Sequence, residues 1–232
     1  MDGAAAVLAA AIDAFGDVHV LVNNAGILRD RMFVNMTEDD WDAVIRGHLK
    51  TTFCTTRQAA GYWRDRSKAG ETVNASVVNV SSTSGLIGTV GQSNYGAAKS
   101  GIASMTVILA QELGRYGVRV NAIVPVARTR MTEEVAGIAD MVRAPDDPAQ
   151  FDTFHPGNVS PLVAYLASPA AEKVSGQVFV VWGRQISVLA GPTVDREFEV
   201  EDRWTPENVD GALTPFYAPR DFLRQGFSFR LR

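Results

Sequence analysis

The chain of 232 residues is poor in the residues that build disulfides and metal centres, because it has one cysteine, Cys54, and three histidines. A single cysteine cannot form a disulfide within the chain, and so few soft ligands argue against a cysteine–histidine zinc site. We therefore expect no metal site and a reducing, cytoplasmic setting.

Further absences in the sequence limit the kinds of molecule that the protein is expected to bind. Lys and Arg number 22 against 26 Asp and Glu, so the net charge of −4 does not give the basic surface typical of nucleic-acid binding. No apolar run reaches the roughly 18 residues that would span a bilayer. The first residues include Asp2 and Asp13 rather than the basic stretch of a signal peptide. We expect a small-molecule partner, and neither nucleic acid nor membrane.

Short apolar runs alternate with helical patterns along most of the chain. Strand patterns lie at 18–26, 75–82, 118–125 and 176–183, and helical patterns lie at 4–15, 36–63, 94–117 and 158–168. Because the strands are almost continuously apolar, they read as strands buried on both faces. The alternation predicts an α/β fold with a doubly wound parallel sheet. Thr37 and Asp40 predict a capping box at the start of the second helix.

The composition changes near Arg184, where proline, charged residues and scattered aromatics replace the regular pattern. We interpret residues 1–183 as one domain. Residues 184–232 are predicted to form an extension that packs on this domain, and not a second domain.

Tyr95 and Lys99 are spaced four residues apart at the start of a helix, so their side chains share one face. A lysine ammonium beside a phenol favours the phenolate, which predicts a Tyr95 pKa below its usual value of about 10. Ser82 follows a strand, at the sheet edge where α/β folds place their sites. Taken alone, however, a tyrosine and lysine at this spacing are more simply a surface pair of a helix.

Four motifs make the combination specific: NNAG at 23–26, SS at 81–82, YGAAK at 95–99 and VNAIVP at 120–125. In this order and spacing they resemble the short-chain dehydrogenase/reductase family, over roughly Val18 to Gly183. Within it, GILRDRMF, WDAVIRGHL and RTRMT are most similar to the (3R)-hydroxyacyl-CoA dehydrogenase unit of peroxisomal multifunctional proteins and to 3-oxoacyl-ACP reductase-like enzymes. The resemblance implies a Rossmann-like fold and NAD or NADP as cofactor.

The resemblance also assigns roles to residues. It implies that Tyr95 is the catalytic acid/base, that Lys99 activates it and binds the nicotinamide ribose, and that Ser82 orients the substrate oxygen. The cofactor-binding positions that it implies are Asn24, Ala25, Gly26, Val80, Tyr95, Lys99, Pro125 and Thr129. Gly85, Gly88 and Gly91 are interpreted as turn residues of the active-site loop, since they follow the wrong strand for a cofactor-binding turn.

His48 stands where the family usually has an asparagine that holds a proton-relay water. A neutral imidazole both donates and accepts hydrogen bonds, so His48 could hold the same water as part of the catalytic group. The alternative is a structural histidine whose ring bonds to a backbone carbonyl, and the sequence favours neither. Val126 replaces a common glycine of the family, a change to which we attach little weight.

The family binds the pyrophosphate on a glycine-rich turn between its first strand and first helix. Nothing before Val18 matches this turn, since the preceding residues read as one helix. We therefore expect a Rossmann-like sheet that lacks its first three strands because of an N-terminal truncation. The strand at 18–23 would then be an exposed edge, and the chain alone would bind NAD(P) weakly.

Two functions remain open on this basis. The first is an NAD(P)-dependent oxidoreductase that interconverts a secondary alcohol and a ketone, with an acyl thioester such as a 3-hydroxyacyl/3-oxoacyl pair, or another hydroxy or keto compound, as substrate. The second is a truncated, non-catalytic fragment that acts only through helix-mediated association. By resemblance, helices at 38–66 and 95–116 would form a homodimer or homotetramer in either case.

Overall fold

The computed structural model describes residues 1–133 and 139–219. In these residues five strands form one sheet in the order β1-β2-β3-β4-β5, with the first four parallel and the last antiparallel. The strands are β1 (Val20–Asn23), β2 (Ala75–Val80), β3 (Val118–Val126), β4 (Val178–Trp182) and β5 (Gln185–Val188). The α/β architecture with a parallel sheet is therefore confirmed, and the antiparallel β5 is an addition that the sequence did not predict.

The described residues also form eight α-helices. They are α1 (Asp2–Phe15), α2 (Glu38–Ile45), α3 (Thr51–Lys68), α4 (Thr83–Ile87), α5 (Ser93–Leu113), α6 (Arg130–Glu133), α7 (Ser160–Ala167) and α8 (Pro206–Tyr217). Successive residues of β2 point to opposite faces, so Val77 packs with Trp63 in one apolar cluster and Val78 packs with Leu166 in the other. All six residues of β2 are buried, in keeping with its mainly apolar sequence; its two polar residues are Ser76 and Asn79.

The helix predicted at 36–63 is interrupted by a single π-helical turn. The turn is Arg46–Lys50 and lies between α2 and α3. The capping box at the start of α2 is confirmed, because the Asp40 amide donates to Thr37 Oγ1 at 3.1 Å and the Thr37 amide donates to Asp40 Oδ2 at 3.3 Å. A π-turn adds one residue to the helical repeat, so it reorients the side chains that follow it.

The segment between Ser82 and Tyr95 contains the short helix α4, where the sequence predicted only turns. Gly88 and Gly91 do adopt positive φ angles of 78° and 83°, as turn residues do. Gly85 has a different role: a Cβ there would lie 2.6 Å from the backbone of Lys99, so glycine permits α4 to pack directly on α5.

The chain divides into two compact units, Met1–Leu189 and Ala190–Arg232. The first unit includes β5, and the second includes α8, which begins with a Thr205 capping box. The predicted packing of an extension on the first domain stays a prediction. No helix in 1–133 or 139–219 has the length and apolar character needed to cross a membrane.

Candidate active site

Three of the four predicted catalytic residues, Ser82, Tyr95 and Lys99, meet at the carboxyl end of β2. Ser82 lies just after the end of the strand, and Tyr95 and Lys99 lie one turn apart on the first part of α5. The Ser82 hydroxyl interacts with the Tyr95 phenol and lowers its pKa. Lys99 Nζ lies 5.5 Å from the centroid of the Tyr95 ring. The helical spacing thus brings the three side chains together as predicted, in the position where open α/β sheets bind ligands.

The protonation of Tyr95 differs from the sequence expectation. Burial raises the pKa of the Tyr95 phenol above its usual value of 10.0, the hydrogen bond from Ser82 opposes the rise, and the negative charge of Asp30 adds to it. The predicted lowering by Lys99 is therefore wrong for this state of the protein, because loss of hydration dominates the phenol's environment. Tyr95 is held in its protonated, proton-donating form.

Lys99 is buried, and only 3% of the residue is exposed to solvent. Its Nζ donates a hydrogen bond to the Val80 carbonyl oxygen at 2.7 Å, and burial lowers its pKa from 10.5 to about 8. An ammonium has three N–H donors, and within the described residues this is the single hydrogen bond of the group. The remaining donors fit a ligand that carries hydroxyl groups, such as the ribose of a dinucleotide.

His48 lies in the π-turn and packs edge-on against the Tyr95 ring, with 5.1 Å between ring centroids. Its Nε2 lies 2.7 Å from the Ile27 carbonyl oxygen and 3.1 Å from the Ile27 amide nitrogen. Burial and the charge of Lys99 together lower the pKa of His48, so the imidazole is neutral. When the proton is on Nε2, the ring donates to the Ile27 carbonyl, and Nδ1 is a buried acceptor without a partner in the described residues.

These contacts bear on the two alternatives for His48. The bond to the Ile27 backbone is the one expected of a structural histidine, and it ties the π-turn to the loop after β1. The unpartnered Nδ1 is the atom that would hold a relay water. Its catalytic role stays a prediction.

The absence of a side chain at Gly26 leaves the space that the His48 ring occupies. A Cβ on Gly26 would lie 1.8 Å from His48 Cε1, which no side-chain carbon can occupy. The sequence placed Gly26 in a cofactor-binding motif, but it gave no sign that the glycine also makes room for the imidazole.

The other predicted cofactor-binding residues lie along the same edge of the sheet. Asn24 and Ala25 are exposed and follow the end of β1 directly, while Val80 ends β2 and is buried. Pro125 lies near the end of β3, and Thr129 follows it in a turn where its amide donates to Thr132 Oγ1 at 2.8 Å. This placement fits a dinucleotide that lies across the ends of three adjacent strands, although individual contacts stay predictions.

Sequence reasoning missed the polar residues that support this group. Asn94 donates through Nδ2 to the carbonyl oxygens of Arg29 at 3.0 Å and Asp40 at 3.2 Å, and its Oδ1 accepts the Tyr95 amide at 2.7 Å. In a second hydrogen bond, Gln92 Nε2 donates to Asp30 Oδ2 at 2.7 Å. An asparagine in the first turn of a helix and an aspartate in a polar loop are common, so the sequence carried no signal for these long-range bonds.

Within 1–133 and 139–219, no three side chains of His, Cys, Asp or Glu are grouped to hold an ion.

The parallel sheet, with Ser82, Tyr95 and Lys99 at its carboxyl edge, is a Rossmann-like fold, and the family and relatives of the chain make it an oxidoreductase. Residues 2–183 match the family described as Enoyl-(Acyl carrier protein) reductase. The chain belongs to the short-chain dehydrogenase/reductase family, whose members use NAD or NADP.

Several relatives support this assignment. The chain is 47% identical over 225 residues to the hydroxyacyl-CoA dehydrogenase ChsB1 of Mycobacterium tuberculosis, a match that covers 96% of this chain and 69% of that protein. It is 38% identical over 227 residues to the peroxisomal hydratase-dehydrogenase-epimerase of Neurospora crassa, covering 94% of this chain and 24% of that protein. A 3-oxoacyl-[acyl-carrier-protein] reductase of Thermotoga maritima is 39% identical over 174 residues, covering 74% of this chain and 68% of that protein.

A solved structure shows the same fold. The crystal structure of a short chain dehydrogenase from Mycobacterium avium is similar with a TM-score of 0.81 and 46% sequence identity, over 94% of this chain and 70% of that one.

Proposed function

We propose that this protein interconverts the secondary alcohol and the ketone of a 3-hydroxyacyl/3-oxoacyl thioester, with NAD or NADP as cofactor. The observation that carries the proposal is the group of Ser82, Tyr95 and Lys99 at the carboxyl edge of the sheet. The names of the relatives, a hydroxyacyl-CoA dehydrogenase and a 3-oxoacyl-[acyl-carrier-protein] reductase, support the substrate class.

The nicotinamide, when bound, accepts or supplies the hydride. In reduction the protonated Tyr95 gives its proton to the ketone oxygen and is left as the phenolate. In oxidation the step runs in reverse, and the phenolate form of Tyr95 takes the proton from the substrate hydroxyl. Ser82 donates a hydrogen bond to the same oxygen and so orients it. Lys99 contributes a buried positive charge near the phenol, which stabilises the phenolate as it forms.

The residues that would hold the cofactor follow from their positions at the strand ends. Lys99 Nζ would bind the ribose hydroxyls, because it has N–H donors without bonds in the described residues. Val80, Pro125 and Thr129 would surround the nicotinamide, and the exposed turn after β1 would line the adenosine ribose with its residues Asn24, Ala25 and Gly26.

The Tyr95→Phe variant tests this function. We expect kcat/KM with a 3-oxoacyl-CoA and NAD(P)H to fall about 10²–10⁴-fold, since the proton donor is lost, while cofactor affinity is largely retained. Cofactor oxidation followed by absorbance measures the rate, and fluorescence titration measures binding. Tyr165→Phe is the matched control, because Tyr165 is exposed on α7. Undiminished turnover by Tyr95→Phe would refute the assignment of the proton donor.

Association through helices is the second part of the proposal. The predicted homodimer or homotetramer would use residues 38–66 and 95–116, and Phe53 on α3 and Ile108 on α5 are large apolar side chains about half exposed there. A non-catalytic fragment would keep this association and lack turnover, so sedimentation measured beside activity separates the two functions. The single cysteine supports a reducing, cytoplasmic setting for either.

A further inference from the structure

The loop after β1 is joined to the active-site loop by direct hydrogen bonds. Asp30 Oδ2 accepts from Gln92 Nε2 at 2.7 Å. The Arg31 amide donates to the Gly91 carbonyl oxygen at 2.9 Å. These bonds link two segments that are more than fifty residues apart in sequence, at the point where the chain turns into α5. A side-chain bond and a backbone bond in parallel fix both the distance and the register of the two segments.

The connection continues from Gln92 to the catalytic serine. Gln92 Oε1 accepts from Ser84 Oγ at 2.6 Å, and Ser84 Oγ also lies 2.9 Å from Thr89 Oγ1. The Ser84 amide then donates to Ser82 Oγ at 3.2 Å. A chain of four polar residues therefore runs from Asp30 to the hydroxyl that orients the substrate oxygen, and polar chains of this kind rigidify the segments they join.

Asp30 also acts on the site through its charge. Its Oδ1 is buried and has no partner in the described residues, so this oxygen is poorly screened. Tyr95 is faced by Lys99 from its own helix and by His48 from the π-turn. The negative charge of Asp30, in the loop after β1, raises the pKa of the Tyr95 phenol. Lys99 favours the phenolate, whereas the negative charge of Asp30 favours the neutral phenol.

We propose that Asp30 is a positioning residue of the proposed reaction: through Gln92 it fixes the segment from Ser82 to Tyr95. The bond from Asn94 to the Arg29 carbonyl holds the loop that carries this negative charge against the first turn of α5. The role rests on the proposed function for its meaning in catalysis. The two structural effects can be measured without turnover.

The charge effect is tested by titrating the Tyr95 phenol through its ultraviolet difference absorbance. Subtracting the titration of each Tyr95→Phe counterpart isolates this tyrosine from the other four. We expect Tyr95 to ionise at a lower pH in the Asp30→Asn variant than in the unaltered protein. Asp39→Asn is the control, because it removes an exposed carboxylate from α2. Equal titrations for Asp30→Asn and Asp39→Asn would overturn the proposal.

The positioning effect is tested by Gln92→Met, which retains side-chain length and the charge of Asp30. We expect amide hydrogen exchange to accelerate at Gly85 and Gly88, whose amides donate within α4, since α4 is no longer tied to Asp30. In an active preparation, kcat should fall about tenfold with little change in KM, because a displaced hydroxyl misaligns the reacting oxygen. Unchanged exchange in a folded variant would overturn the proposal. If the unaltered protein is inactive but Asp30→Asn still lowers the pH at which Tyr95 ionises, the result would count against the proposed function alone.

Discussion

At the scale of single residues, Lys99 shows most clearly that the site is built at the expense of stability. Its amine is buried and has no carboxylate partner in the described residues, and its pKa falls to about 8. A group whose charged form is disfavoured on folding reduces the free energy of unfolding at every pH where the unfolded chain would be protonated. Functional sites commonly hold such groups, because the charge that destabilises the fold is the one that stabilises the reaction.

Replacing Lys99 with methionine should therefore stabilise the protein at neutral pH by roughly 1–3 kcal/mol while abolishing turnover. The sign follows from the pKa shift: the unfolded chain binds the proton more tightly, so the unaltered protein gains stability as pH rises from about 8 towards 10.5. The advantage of Lys99→Met should shrink over this range.

Urea denaturation at a series of pH values measures the effect. Lys50→Met is the control, since Lys50 is exposed in the π-turn. A Lys99→Met variant that is less stable than the unaltered protein, with a constant difference across pH, would show that the hydrogen bond to Val80 outweighs the desolvation of the amine.

At the scale of elements, the π-turn between α2 and α3 connects the long helix to the active site. It places His48 against both the Ile27 backbone and the Tyr95 ring. The loop after β1 can approach only because residue 26 is glycine, since a Cβ would overlap the imidazole. The π-turn, the histidine and the glycine therefore act as one packing unit, of the kind that often marks a functional site.

This unit predicts strong coupling between residues 26 and 48. Gly26→Ala alone should destabilise the protein by about 1–3 kcal/mol, because the methyl group forces the ring or the loop to move. In the His48→Ala background the same change should cost less than about 1 kcal/mol, since the obstructing ring is gone. A double-mutant cycle of unfolding free energies measures the coupling.

The cycle includes an internal control. Gly3→Ala introduces the same methyl group in α1, where nothing lies within 4 Å of the added Cβ, so it should show no coupling to His48. Additive effects of Gly26→Ala and His48→Ala would contradict the packing unit.

At the scale of the whole molecule, β1 is one edge of the sheet in the described residues, and it is apolar. Val20 is 38% exposed and Val22 is 42% exposed, and the two share one face of the strand. An edge strand with exposed valines and free backbone groups pairs readily with other chains.

We therefore expect Val22→Lys to reduce self-association of the 232-residue chain, because a charge on an edge strand opposes strand pairing. Static light scattering over a concentration series measures this. Val34→Lys adds the same charge at an 88% exposed position outside the sheet. Equal effects of the two variants would indicate that net charge, and not the strand edge, controls association.

The sequence by itself determined the fold class, because each predicted strand and helix follows from local periodicity and capping. The apolar run of β2 requires burial on both faces, and Thr37 with Asp40 requires a helix start, whatever surrounds them. The spacing of Tyr95 and Lys99 likewise puts both side chains on one face of any helix that contains them.

Only the tertiary structure decided the electrostatics and the supporting contacts of the site. The pKa of Tyr95 rises because burial outweighs the opposing effect of Ser82, and burial is a property of the packed molecule rather than of residue spacing. The bonds from Asp30 to Gln92 and from His48 to Ile27 join distant segments, and no local pattern encodes such pairs. Local interactions specify elements, whereas protonation and alignment depend on the full set of neighbours that folding brings together.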